Sequence, residues 1–148
     1  MLICLAVLPL AMIAVRRDDS QTISAGNGAI TTIKLPDGSR ARLMNGATIR
    51  YRPDFPERRR LWLSGQATFD VTPGPTFALW TETALVITFA GSFAVRASGR
   101  ETTFVSTRAG VVRLRALNEE NDPSYGSVTI GSGRRGFAAR MVGAKLSR

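Results

Sequence analysis

The chain has no histidine among its 148 residues and a single cysteine, Cys4. Without histidine there can be no Ser-His-Asp triad, Cys-His dyad or His-ligated zinc centre. One cysteine excludes an internal disulfide and a thiolate metal cluster. Lysine is scarce as well: Lys34 and Lys145 stand beside eighteen arginines. These shortages close most hydrolase and metalloenzyme chemistries. The length suits one domain, and a domain of this size buries roughly 70% of the surface its unfolded chain exposes.

What is present is positive charge, 20 Lys+Arg against 11 Asp+Glu for a net +9. Arginine favours bidentate contacts to phosphate and carboxylate, so nucleic acid or an acidic surface must be weighed as a partner. The competing reading scatters these charges along solvated strand faces. It is favoured because there is no lysine-rich tail and little of the aromatic interleaving that RNA-binding sheets use. Nucleic acid is therefore not the expected partner.

Met1 to Val15 carries no charge and only Pro9 among helix breakers, and Arg16-Arg17-Asp18-Asp19 follows at once. A full membrane span takes about 20 apolar residues, about 17 at the lower end, so the segment is slightly short. No basic region precedes it, and Ala11 and Ala14 have the wrong spacing for signal cleavage. Cys4 comes too early for a lipoprotein. The favoured expectation is a short apolar helix acting as a membrane anchor whose upstream part is missing. An atypical uncleaved signal anchor and a buried N-terminal element of a soluble domain stay open. Arg16-Arg17 biases the body towards the cytoplasm by the positive-inside rule, against export.

From Ile30 onward the apolar period is two. Ile33 and Leu35 alternate with Thr32 and Lys34, and Pro36-Asp37-Gly38-Ser39 follows as a turn. Ala41 and Leu43 then alternate with Arg40 and Arg42, giving a hairpin with one wet face. Asn45-Gly46 is a second turn signal, after which Ile49 and Tyr51 alternate with Arg50 and Arg52. Leu61 and Leu63 lead through Ser64-Gly65 to Ala67, Phe69 and Val71, and then to Pro73-Gly74-Pro75. Further short strands are expected at Phe77 to Leu79, Leu85 to Phe89, Phe93 to Val95, Val112 to Leu114 and Val128 to Ile130. A last apolar alternation runs Phe137, Ala139, Met141. The pattern predicts an all-β fold of stacked short antiparallel strands, sandwich or solenoid-like, preceded by the N-terminal helix. The expected organisation is an anchor over 1–17, a linker over 18–29, a β domain over 30–142 and a tail over 143–148. Asn118 to Ser127 is the best candidate for disorder.

Chemistry is sparse. Asp54 and Glu57 beside Arg58-Arg59-Arg60 suggest a local ion-pair network rather than an acid/base pair. Gly131-Ser132-Gly133-Arg134-Arg135-Gly136 lacks the lysine and following helix of a phosphate loop and reads as a strand-connecting turn. No catalytic residue, metal or cofactor is expected. Arg58, Arg59 and Arg60 form the densest basic feature, able to touch phosphates or a protein partner, or simply to solvate a strand entry. Trp62 and Trp80 fall out of phase with their apolar neighbours, which leaves both an exposed interface anchor and packing against a second layer open.

Several of these residues together resemble the FecR domain. The resemblance begins with Leu35-Pro36-Asp37-Gly38-Ser39 and the stretch from Leu43 through Asn45-Gly46-Ala47 to Tyr51. It continues with Arg58–Arg60 ahead of Leu61, Leu63, Gly65-Gln66-Ala67, Phe69 and Val71. Pro75 to Leu79 and Phe89 to Val95, including Phe93, stand where the family has its next two motifs. Gln66 replaces the family's glutamate, Ala90-Gly91 its Gly-Thr, and Ala109-Gly110 its Glu-Gly, as in a divergent member.

The resemblance implies a bacterial inner-membrane protein with one span and its β body in the periplasm. It implies a non-catalytic sensing role in the regulation of an extracytoplasmic-function sigma factor. The implied partner is an envelope protein, such as an outer-membrane transporter or sensor. Sigma-factor contact would run through a cytoplasmic region outside this sequence. Arg58, Arg59, Arg60 and Trp62 are the candidate partner contacts, and Leu35, Pro36, Asp37, Gly38, Gly65, Phe69, Val71, Phe93 and Val95 are structural. The other reading is an Arg-rich β module that binds an envelope polyanion or nucleic acid.

Overall fold

In the computed structural model, residues 19–118, 120, 122, 126–139 and 143–147 are described. The apolar segment over 1–17, and with it the expected helix and anchor, lies outside them. So do several residues of the Asn118–Ser127 loop. Among the described residues no helix is long and apolar enough to cross a membrane.

Among the described residues fourteen strands form two seven-stranded sheets. The first contains β1 (Gln21–Ser24), β4 (Thr48–Tyr51), β5 (Arg60–Ser64), β7 (Phe77–Trp80), β8 (Ala84–Thr88), β11 (Val112–Ala116) and β12 (Ser127–Ile130), in that spatial order. The second contains β2 (Thr31–Lys34), β3 (Arg40–Leu43), β6 (Gln66–Val71), β9 (Gly91–Ser98), β10 (Thr102–Gly110), β13 (Arg135–Ala139) and β14 (Gly143–Ser147), again side by side in chain order. The chain thus steps from one sheet to the other and advances by a strand or two each time. Packing makes the molecule a sandwich; the winding is solenoid-like.

The two-residue period drives this arrangement. In β3 and β6 the burial alternates residue by residue, with Ala41, Leu43, Ala67, Phe69 and Val71 inside and their arginine, threonine and aspartate neighbours outside. Phe69 and Phe93 of the second sheet stack at 5.5 Å, and Phe77 of the first meets both edge-on or tilted at 6.1 and 6.4 Å. Truncating any of these three fully buried rings to alanine costs about 3–5 kcal/mol.

Four expectations are corrected. The pairing is not wholly antiparallel, because β5 and β7 run parallel. Only one strand, β6, lies between them in the chain, so the backbone makes a full turn through the opposite sheet instead of returning by a hairpin. The segment taken as linker carries β1, which pairs Gln21 with Tyr51 and Ile23 with Ile49. The segment taken as tail carries β14, paired along β13 from Ala139↔Gly143 to Arg135↔Ser147. Both are edge strands with a single neighbour, hence their weak apolar alternation. Finally, Phe137 and Ala139 face outward while Gly136 and Ala138 are buried. A β-carbon on Gly136 would lie 2.6 Å from the buried Ile130 side chain and 3.0 Å from Lys145 O, so position 136 has no room for a side chain.

Asn45-Gly46 and Ser64-Gly65 turn out to be corners where the chain changes sheet. Met44 N–H donates to Gln66 O, Ala25 N–H to Ala47 O and Ala97 N–H to Gly65 O, so successive corners stack. Gly65, at φ +95°, sits so close under Ala47 that a β-carbon would lie 2.9 Å from the Ala47 Cα. The family-motif glycine is therefore a spacer between stacked corners.

Candidate functional site

Arg59 occupies the opposite end of the sandwich, and its position corrects the expectation of a partner contact. It is 2% exposed. Nε and Nη2 donate to Pro75 O, Nη1 donates to Thr72 O at 2.7 Å, and Nη2 also reaches Phe89 O at 3.1 Å. Nη1 pairs with Asp37 Oδ2 at 3.2 Å, and the guanidinium lies 5.7 Å from the Phe77 ring centre. The ion pair goes to Asp37 rather than to the sequence-adjacent Asp54 and Glu57. A buried guanidinium needs its planar donors satisfied, and three loop carbonyls plus one carboxylate do so.

The turn from Leu35 to Ser39 is built to receive it. Asp37 accepts from Ser39 N–H at 3.0 Å and from Ser39 Oγ–H at 2.7 Å, while Thr72 N–H donates to Ser39 Oγ at 3.1 Å. Leu35 anchors the turn in the core at 2% exposure, and Gly38 N–H closes it onto Leu35 O at 3.0 Å. Gly74 lies against the Arg59 guanidinium, 3.2 Å from where its own β-carbon would be. Asp37, Arg59 and Thr72 thus tie the β2–β3, β6–β7 and β8–β9 connections together. The motif residues build structure. Phe69, Val71, Phe93 and Val95 complete the same assignment as core residues.

The remaining partner candidates lie on the outer face of the first sheet. Arg58 and Arg60 are exposed and Trp62 is half-buried. Strand register places Trp62 directly opposite Trp80 across the parallel pair and opposite Arg50 across β4. The row continues through Leu85 to Arg115, giving Arg50–Trp62–Trp80–Leu85–Arg115 from strand to strand. The next row outward reads Arg60–Ala78–Ile87–Arg113. The Arg50 guanidinium lies 5.4 Å from the Trp62 ring centre. A groove of about 740 Å³ borders the tryptophans, with Trp62, Leu63, Trp80 and Leu117 as its apolar walls and Arg50, Glu82, Thr48 and Ser64 among its polar ones. A second depression brings Arg52, Arg58 and Arg60, together with Asp54, to the other side of the same tryptophans.

The composite face was only partly visible in the sequence. Out-of-phase tryptophans and polar-face arginines signal an outer surface, but their union depends on the β5–β7 register, which local periodicity does not carry. Among the described residues there is no cluster of three or more acidic or sulfur ligands fit to hold a metal. The arrangement offers cations and apolar rings to a ligand, and no paired acid and base.

The model of the family described as FecR protein matches residues 21–113. Two crystal structures from Parabacteroides distasonis ATCC 8503, at 2.50 and 1.65 Å resolution and described as a "putative anti-sigma factor", are similar. Each is 25% identical, with TM-scores of 0.73 and 0.72 over 87% and 86% of this chain. The chain spans 60% and 59% of the length of those solved chains. No curated protein matches the sequence. The family match runs over more than half of the chain, from the first strand to β11, and takes in the Asp37 turn and the Arg59 node: the chain belongs to the FecR family.

Proposed function

We propose that this chain is a non-catalytic, membrane-anchored periplasmic domain that senses a signal through protein contact and takes part in the regulation of an extracytoplasmic-function sigma factor. Family membership and the description of the similar Parabacteroides chains support the regulatory role. The uncharged run from Met1 to Val15 supports anchoring, and it is family membership that favours a β body outside the cytoplasm, against the positive-inside bias of Arg16-Arg17. The observation that carries the reading is the division of labour among the motif residues. They are consumed in holding the sandwich together, and what is left outward is a surface of arginines and tryptophans suited to contact.

Two measurements test it together. A periplasm-dependent reporter fused after Arg148 of the full chain should be active and a cytoplasm-dependent one silent. Deleting the gene should change transcription from sigma-dependent promoters. A cytoplasmic body, or unchanged sigma-dependent transcription, would overturn the proposal.

A further inference from the structure

The outer face of the first sheet has the anatomy of a protein-binding patch. In each of two strand-to-strand rows arginines flank a stretch of apolar residues: Trp62, Trp80 and the buried Leu85 in one, Ala78 and Ile87 in the other, with Thr22, Ser127 and Thr129 beyond the arginines. Neighbouring strands lie about 4.8 Å apart, so Arg50 and Arg115 are separated by about 19 Å. That is about the reach of six extended residues. Arg50, Arg52, Arg58, Arg60, Arg113 and Arg115 have no carboxylate partner among the described residues. An aromatic centre inside a charged rim is where binding energy concentrates in protein interfaces.

We infer that this face docks an extended segment of a partner protein with acidic side chains near both ends and an apolar side chain between them. The inference rests on the protein-contact reading above and names its surface and chemistry. Charge complementarity selects acidic ends, since arginines with no carboxylate partner among the described residues stand on both sides of the apolar centre and outnumber the Asp54 and Glu82 carboxylates there. The apolar centre selects a peptide over a polyanion. Arg50 already covers one face of Trp62 at 5.4 Å, so that face is not free for a stacked base, and the cations form two flanking groups instead of a continuous phosphate track.

Both tryptophans of the chain lie on this face, so intrinsic fluorescence reports on it directly. The full chain in detergent micelles is titrated with an eight-residue peptide carrying Asp-Glu at each end and Leu-Phe at its centre. A saturable fluorescence change is expected. Binding should weaken at least tenfold when the acids are replaced by lysine, and at least tenfold when Leu-Phe is replaced by serines. It should also weaken at least tenfold in the Arg60→Glu/Arg115→Glu variant. Arg42→Glu, on the outer face of the second sheet, should bind like the parent, with circular dichroism showing both variants folded. The inference is overturned by equal affinity for the lysine peptide or by an unchanged Arg60→Glu/Arg115→Glu variant. It is also overturned if only inorganic polyphosphate binds, with a steep loss on adding salt. If peptide binding follows expectation while gene deletion leaves sigma-dependent transcription unchanged, the regulatory reading falls and the docking face stands. If deletion changes transcription while the Arg60→Glu/Arg115→Glu chain complements fully, the docking face falls alone.

Discussion

Arg59 Nη1 stands 3.2 Å from Asp37 Oδ2, with 1% and 6% of the two side chains exposed, in a contact that spans twenty-two residues of chain. A pair this deeply buried is no strong source of net stability, because desolvation offsets most of the attraction. Its removal is another matter, since one partner is then left charged and unpaired inside the protein.

Asp37→Asn is therefore expected to cost about 3–5 kcal/mol in urea denaturation, a drop in Tm on the order of 10 °C. Arg59→Lys should be similarly damaging, because an ammonium cannot reach Pro75, Thr72 and Phe89 carbonyls and the carboxylate with one planar fork. Arg58→Ala, one residue away and exposed, should stay within about 0.5 kcal/mol of the parent. Equal effects at 58 and 59 would remove Arg59 from its structural role.

That contrast shows how far the sequence could be read. Period-two alternation located the core correctly at Ala41, Leu43, Ile49, Leu61, Phe69, Phe77, Phe93 and Val95, because each lies on a strand with one wet face. It placed Arg59 outside with its neighbours. Arg59 precedes β5, and its burial depends on loop carbonyls from far along the chain. Edge strands β1 and β14 were also out of reach, because a strand with one neighbour buries little and alternates weakly. The tryptophans were visible as out of phase, but their apposition is a property of the winding.

A second prediction concerns Gly91, where the family's Gly-Thr is replaced by Ala90-Gly91. Gly91 adopts φ +129° opposite Gly110, and a β-carbon would lie 2.3 Å from Ala109 O. Backbone has to move, since the obstacle is a carbonyl and not a flexible side chain. Gly91→Ala is expected to destabilise by at least about 3 kcal/mol, from positive φ and steric conflict together. Amide exchange should speed up first between β9 and β10 near the irregularity at Thr107/Ala109. Parent-like exchange there would show that the close approach does not exist.

The last prediction has opposite signs at two buried threonines on the same strand. Thr103 Oγ1 is bonded to Thr81 Oγ1 and to Thr83 Oγ1, each at 2.7 Å, so its hydroxyl serves two partners across the sheets. Thr107 is 1% exposed and its Oγ1 has no hydrogen-bond partner among the described residues. Valine has nearly the shape of threonine without the hydroxyl, so the substitution isolates the polar contribution. At Thr103 it leaves Thr81 and Thr83 to share what remains, and should cost about 1–2 kcal/mol. At Thr107 it removes a desolvated group that repays nothing, and should stabilise by about 1 kcal/mol, raising Tm by roughly 4 °C. Thermal denaturation of the two variants side by side reads the difference in sign. Loss of stability at Thr107→Val would mean that the hydroxyl has a partner after all, and the sandwich interior would then hold a polar link between β10 and its surroundings.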